Sequence, residues 1–419
     1  MSLELFHIFS VIIVLSAVFS FLNQKSLRLP TTISLMIAGL VVSLVIQAGY
    51  YLSPAYANWI TEKLGTIDFS KFLLDFLLSF LLFAGAMHID LRRLAKDRGP
   101  ILSFATFGVL LSTFAVGTII YYALIGLGHP MAYIYCLLFG ALISPTDPIA
   151  VLSLLKKVGI PKSLELKIAG ESLFNDGVGV VIFITLFEVA RRGIDQIGIM
   201  EVGELLLTEV AGGVLLGLVT GYLGFRLMKS LDHYQTEVLI TLALVTGGYS
   251  LASYLHFSGP LAMVVAGLFI GNQARETAMS AITLDYVTKF WEIVDEVLNA
   301  ILFVLIGLEL LLIDFNLNYI VIGVIATVVV IGVRYVALAF PSYLLGFNKT
   351  FAPNTLAIMT WGGLRGGISI ALALSLPDSP EKNLIVAITY IVVLVSLIVQ
   401  GLSIEWLIKR LEKKSSLLK

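Results

Sequence analysis

The stretch 144-SPTDPIAV-151 sets an aspartate between two prolines inside a run of otherwise apolar residues. Each proline removes a backbone donor and crowds the preceding turn, so two of them three residues apart unwind a helix locally. Carbonyls freed by the unwinding find no partner in hydrocarbon. Such a break belongs where it is buried in protein or lines a wet cavity. A proline kink capped by its own acid is the plainer alternative.

The surroundings are those of a membrane protein. Of 419 residues, 58% are hydrophobic and 13% charged, against about a quarter charged in soluble domains. One soluble core cannot hide that much apolar surface, and the surplus must face lipid. The fold class expected is an all-α polytopic membrane protein. Runs of roughly 20 apolar residues fall near 4–23, 30–50, 69–89, 99–125, 130–157, 164–190 and 202–225. More follow near 235–255, 259–272, 285–312, 318–345, 353–376 and 383–408, about thirteen transmembrane helices in all. The ninth, 261-LAMVVAGLFIGN-272, is short. The first run is too long for the core of a signal peptide and reads as a retained span. No gap between spans is long enough for a soluble domain, so function resides in the membrane.

Basic residues give the orientation, because positive loops stay cytoplasmic. One set of connections carries Lys25 and Arg28, then Arg92, Arg93, Lys96 and Arg98, then Lys156, Lys157, Lys162 and Lys167. It continues through Arg226, Lys229, Arg275 and Lys349 to the tail residues Lys409, Arg410, Lys413, Lys414 and Lys419. The opposite set holds only Lys63, Lys71, Arg191, Arg192 and Lys382. The N-terminus is therefore expected outside and the C-terminus in the cytoplasm, in a cell (inner) membrane. Arg191 and Arg192 run against the rule. A net charge of -1 and no basic run interleaved with aromatics argue against nucleic acid as a partner. The single cysteine, Cys136, forbids an intrachain disulfide, and five scattered histidines give no zinc site. Neither a cofactor nor an enzymatic activity is expected.

Two further polar clusters lie at membrane depth, where a charge costs at least about 2.5–3.5 kcal/mol. In 170-GESLFNDG-177, helical spacing brings Glu171, Ser172, Asn175 and Asp176 to one side. The competing reading is a cytoplasmic first turn favoured by the helix dipole. In 359-MTWGGLRGGISIAL-372, four glycines flank Arg365, weakening the helix and admitting close backbone approach. That arginine needs a carboxylate or carbonyl partner unless it snorkels to an interface. Asp75, Glu309, Arg334 and the Asp295/Glu296 pair are lesser candidates, as suited to pinning helices together as to binding ions.

The broken spans five and twelve stand seven apart. Two inverted six-helix repeats, about 1–192 and 233–410, joined by a linking helix at about 200–230, account for that offset. Interrupted helices in equivalent places are the best sequence pointer to a substrate site near the midplane, where the two would cross. Asp147, Asp176, the Ser172 hydroxyl and freed carbonyls form an all-oxygen set suited to a hard cation. The same carboxylates take protons. A site that must hold one or the other, opened alternately to each side, performs cation/proton antiport.

PTDP in span five, GESLFNDG in span six and GGLRGG in span twelve also resemble the monovalent cation:proton antiporters, first subgroup, which include bacterial and archaeal sodium/proton exchangers. The resemblance covers nearly the whole chain. It implies that Asp147 and Asp176 bind Na+ and exchange protons, with the Ser172 hydroxyl and the Thr146 main-chain carbonyl as further ligands. It implies that Asn175 accompanies electroneutral exchange and that Glu171 pairs with Arg365. It also implies a homodimer serving pH homeostasis, with core helices at about 99–192 and 318–410 moving against interface helices at about 1–90 and 200–312. Some members carry a glutamate in the third span; here 76-FLLSFLLFAGAMHID-90 has no acid before Asp90. K+/H+ exchange on the same fold, a cation channel, and an intramembrane hydrolase using Asp147 and Asp176 as a dyad are the rival readings.

Overall fold

A computed structural model describes residues 3–49, 69–147, 151–152, 155, 160–193, 198–313, 316–347, 351 and 354–416. Among these the secondary structure is helical throughout. The first half contains α1 (Leu3–Leu22), α2 (Thr31–Gly49), α3 (Leu78–Met87), α4 (Val109–Gly126), α5 (Tyr133–Ile143) and α6 (Lys162–Arg192). Next come α7 (Ile199–Lys229), α8 (Tyr234–Tyr254), α9 (Gly259–Phe269), α10 (Ala281–Glu309) and α11 (Leu317–Leu344). The chain ends through α12 (Thr355–Trp361), α13 (Gly367–Leu374), α14 (Pro380–Val395) and α15 (Gly401–Ser416). Eight helical stretches among the described residues are long and apolar enough to cross a bilayer. Helix is present at every expected span, including the short ninth, which starts on a Ser258 cap with Pro260 in its first turn.

Both expected breaks are found. α5 stops at Ile143, and Ser144 to Asp147 are not helical. Pro148 lies outside the described residues. The second interruption separates α12 from α13 across Gly362–Gly366. By contrast, α6 runs unbroken from Lys162. Glu171 to Asp176 thus lie more than two turns inside a helix, which excludes the first-turn reading.

The helices pack in two groups. α5 lies against α4 and α6, α11 against α4 and α14, and α13 against α14. In the other group α2 and α8 flank α10, while α9 packs on α3, α7 and α8. α6 meets both, touching α5 on one side and α9 on the other. The outer faces carry large exposed apolar side chains such as Phe21, Leu207, Leu215, Val328 and Phe340, the surface a lipid-embedded chain presents. Arg191 and Arg192, the residues against the charge rule, both pair with Glu188 one turn earlier, at 2.8 and 2.6 Å.

Candidate ion-binding site

The two breaks meet. The Asp147 backbone N–H donates to the Leu364 carbonyl at 2.8 Å, stitching one interrupted helix to the other. Arg365 Nη1 donates to the Ser144 carbonyl at 2.5 Å and to the Pro145 carbonyl at 2.9 Å. These carbonyls stand where α5 ends, at the negative pole of that half-helix, so a guanidinium there satisfies orphan acceptors and the local dipole together. The Arg365 backbone N–H is taken by Ser396 Oγ at 3.0 Å. Glycine is required at the contact: a β-carbon on Gly366 would stand 2.6 Å from Asp147 Oδ2, and one on Gly179 2.3 Å from Pro145 Cγ.

This geometry corrects one expectation. Glu171 takes its bidentate partner from Arg334 on α11, through Nη1–Oε1 at 2.7 Å and Nη2–Oε2 at 2.6 Å, with both residues buried. Arg365 is committed to the carbonyls of the first break instead. Arg334 stands in an apolar helix that packs against α4 and the segment Phe104–Gly108, and a planar fork fits a carboxylate in two bonds. Asn175, fully buried, completes the arrangement: its amide donates to Glu171 Oε1 at 2.7 Å and Thr146 Oγ1 at 2.9 Å, and its Oδ1 accepts the Thr146 N–H at 3.2 Å. Ser172 Oγ lies 3.0 Å from Thr146 Oγ1.

Asp147 and Asp176 both line a cavity of about 810 Å³. Ser172, Thr146 and Asn175 stand behind that wall, bonded to one another. The cavity passes Gly366 of the second break and Gly367 at the start of α13, and reaches the surface beside His88, Arg93 and Lys162. Its far wall is α10, through Glu292, Asp295, Glu296 and Asn299. Their spacing of three and four along a helix was the available sequence signal, although only Asp295 and Glu296 stood out as candidates. The mouth is fastened by Asn272, whose Oδ1 accepts the Leu91 N–H and whose amide donates to the Ile89 and Leu268 carbonyls. A Lys167–Asp97 ion pair at 2.8 Å lies on the same side. Glu309 is buried at the opposite end of α10. The side chain of Asp75 lies outside the described residues.

Comparisons with known proteins point the same way. Residues 11–410 match the family model described as sodium/hydrogen exchanger, transmembrane. The chain is 47% identical over 408 residues to the Na(+)/H(+) antiporter NhaP of Pseudomonas aeruginosa, covering 95% of both chains. It is 33% identical to the Na(+)/H(+) antiporter NhaH of Halobacillus dabanensis, covering 92% of this chain and 93% of that one. The solved sodium proton antiporter MjNhaP1 of Methanocaldococcus jannaschii superposes with a TM-score of 0.76 at 19% identity, covering 98% and 99%, and therefore shares the fold. Two interrupted helices locked at their breaks, in a chain matched almost from end to end, make this protein a multi-pass membrane protein of the sodium/hydrogen exchanger family.

Proposed function

We propose that this protein is a secondary antiporter exchanging Na+ or Li+ for H+, with cation and proton competing for Asp147 and Asp176. The observation that carries the reading is that both carboxylates line one surface-connected cavity at the crossing of two broken helices. The relatives at 47% and 33% identity bear the name Na(+)/H(+) antiporter. Carboxylate and carbonyl oxygens suit a hard monovalent cation, and protonation of the same acids displaces it.

The charge count follows from what is buried. Glu171 is neutralised by Arg334, Asn175 is uncharged, and the buried Arg365 offsets one of the two charges of Asp147 and Asp176, so the pair is left with one negative charge to be met by either a cation or a proton. One positive charge moves each way, and exchange is electroneutral. Ser172 and Thr146 join the cation when the cluster behind the cavity wall opens to it. The cavity mouth lies among Asp90, Arg93, Lys162 and Glu165, next to the basic connections that remain cytoplasmic. The conformation is thus inward-open, with the N-terminus outside and the C-terminus inside, in the inner membrane. The helices around the crossing (99–192 and 318–410) act as a mobile core against the rest, which also forms a homodimer.

Reconstitution in vesicles with a pH-sensitive dye tests this. Imposed sodium or lithium gradients should drive proton movement, at a rate indifferent to an imposed voltage. Silence with both cations overturns antiport; response to potassium alone selects the K+/H+ version; voltage-dependent rates overturn electroneutrality.

A further inference from the structure

Glu292, Asp295, Glu296 and Asn299 of α10 all line the cavity, on one helix face, and sodium/proton exchange at Asp147 and Asp176 uses none of them. Three acids on a wet wall would by themselves be an ordinary solvated surface. Asn299 sets this wall apart. It is 4% exposed, its amide donates to the Asp295 main-chain carbonyl at 2.8 Å, and its Oδ1 has no hydrogen-bond partner among the described residues. Turning the amide over would press Oδ1 against the Asp295 carbonyl, acceptor against acceptor, so the observed bond fixes the orientation. A buried carbonyl oxygen without a donor is costly, and this one stands on a residue that lines the cavity, where an ion could engage it.

We infer that Asn299 Oδ1 and the Asp295 carboxylate form a second cation subsite on the α10 wall, from which a monovalent cation passes to Asp147 and Asp176. The inference rests on the antiport reading. The ligands are oxygens only, one charged and one neutral, a set suited to a hard cation of low charge. Asp295 and Asp147 line the same cavity, where like charges repel. A cation between them therefore offsets repulsion at both. Glu292 and Glu296 stand exposed on the same wall and raise the local cation concentration there. Arg93 and Lys162 also line the cavity but belong to its mouth.

The test is exchange measured over graded sodium and lithium in vesicles carrying wild type, Asn299→Leu or Asp295→Asn. Each variant should raise the sodium KM about tenfold, more than it lowers the maximal rate, and should change the ratio of the sodium and lithium KM values. A merely structural role would lower the rate and the thermal midpoint together without moving that ratio. Unchanged KM values for both cations overturn the subsite, and the isosteric Asp295→Asn protein decides this even if Asn299→Leu does not fold. A wild type that moves no protons overturns the antiport reading instead. Calorimetric sodium binding to Asp176→Asn, compared with Asp176→Asn/Asn299→Leu, then still decides: loss of residual binding supports the subsite, and no difference refutes it.

Discussion

Gly366 presses on Asp147 so closely that an added β-carbon would lie 2.6 Å from the carboxylate oxygen and 2.7 Å from the Asp147 β-carbon. The backbone of Gly366 is extended, at φ -122°, so an L-residue meets no conformational penalty there and the obstacle is contact alone. Gly366→Ala is expected to push the two breaks apart, costing about 1–3 kcal/mol of stability and at least about tenfold in exchange rate. A variant with wild-type turnover in vesicles would show that the breaks separate freely.

Asp176→Asn keeps the shape of the side chain and removes its charge and its proton. The protein should fold with a thermal midpoint at or above that of wild type, because a buried carboxylate has been replaced by a neutral group, and exchange should vanish. Retained proton movement would remove Asp176 from the ion path.

Arg334→Ala leaves Glu171 buried and without its bidentate partner. The expected loss is about 3–5 kcal/mol, read as a lower thermal midpoint in detergent. Arg334→Met combined with Glu171→Gln removes both charges and should recover much of it. Equal midpoints for wild type and Arg334→Ala would refute the structural weight of this pair.

Asn175→Ala deletes three hydrogen bonds at a fully buried position and strands polar groups of Thr146 and Glu171. A loss of about 1–3 kcal/mol is expected, and Asn175→Asp should lose more, since a second carboxylate would face Glu171. Thermal melts of the two variants rank them directly.

Cys136 has no exposed surface, and only an accessible thiolate reacts. Maleimide labelling of the folded protein should stay below about a tenth of that after denaturation. Rapid labelling of the native form would mean that α5 opens away from its neighbours.

Prolines and glycines write breaks into a sequence because their backbone effects are local. Spans five and twelve were therefore legible residue by residue, and so was the polar face of α6, through its helical spacing. The partner of Glu171 was not. Arg334 is 163 positions away in a helix whose apolar residues give no azimuth, whereas Arg365 announced itself among four glycines. Rarity marks a buried arginine as important; which carboxylate it meets is decided by how α11 packs. The α10 wall was half legible: its residues recur at helical spacing, but a cavity that selects one face of an amphipathic helix exists only after folding.

One main-chain bond, from Asp147 to Leu364, and two from the Arg365 guanidinium to the Ser144 and Pro145 carbonyls lace the crossing together. A laced crossing has little give. The spacing of the oxygens near Asp147 is then set by peptide geometry rather than by the occupant, and a cation of larger radius meets the same walls as a smaller one. Selection among the alkali metals then depends on fit to this frame and on how readily Ser172 and Thr146 leave one another to meet the ion.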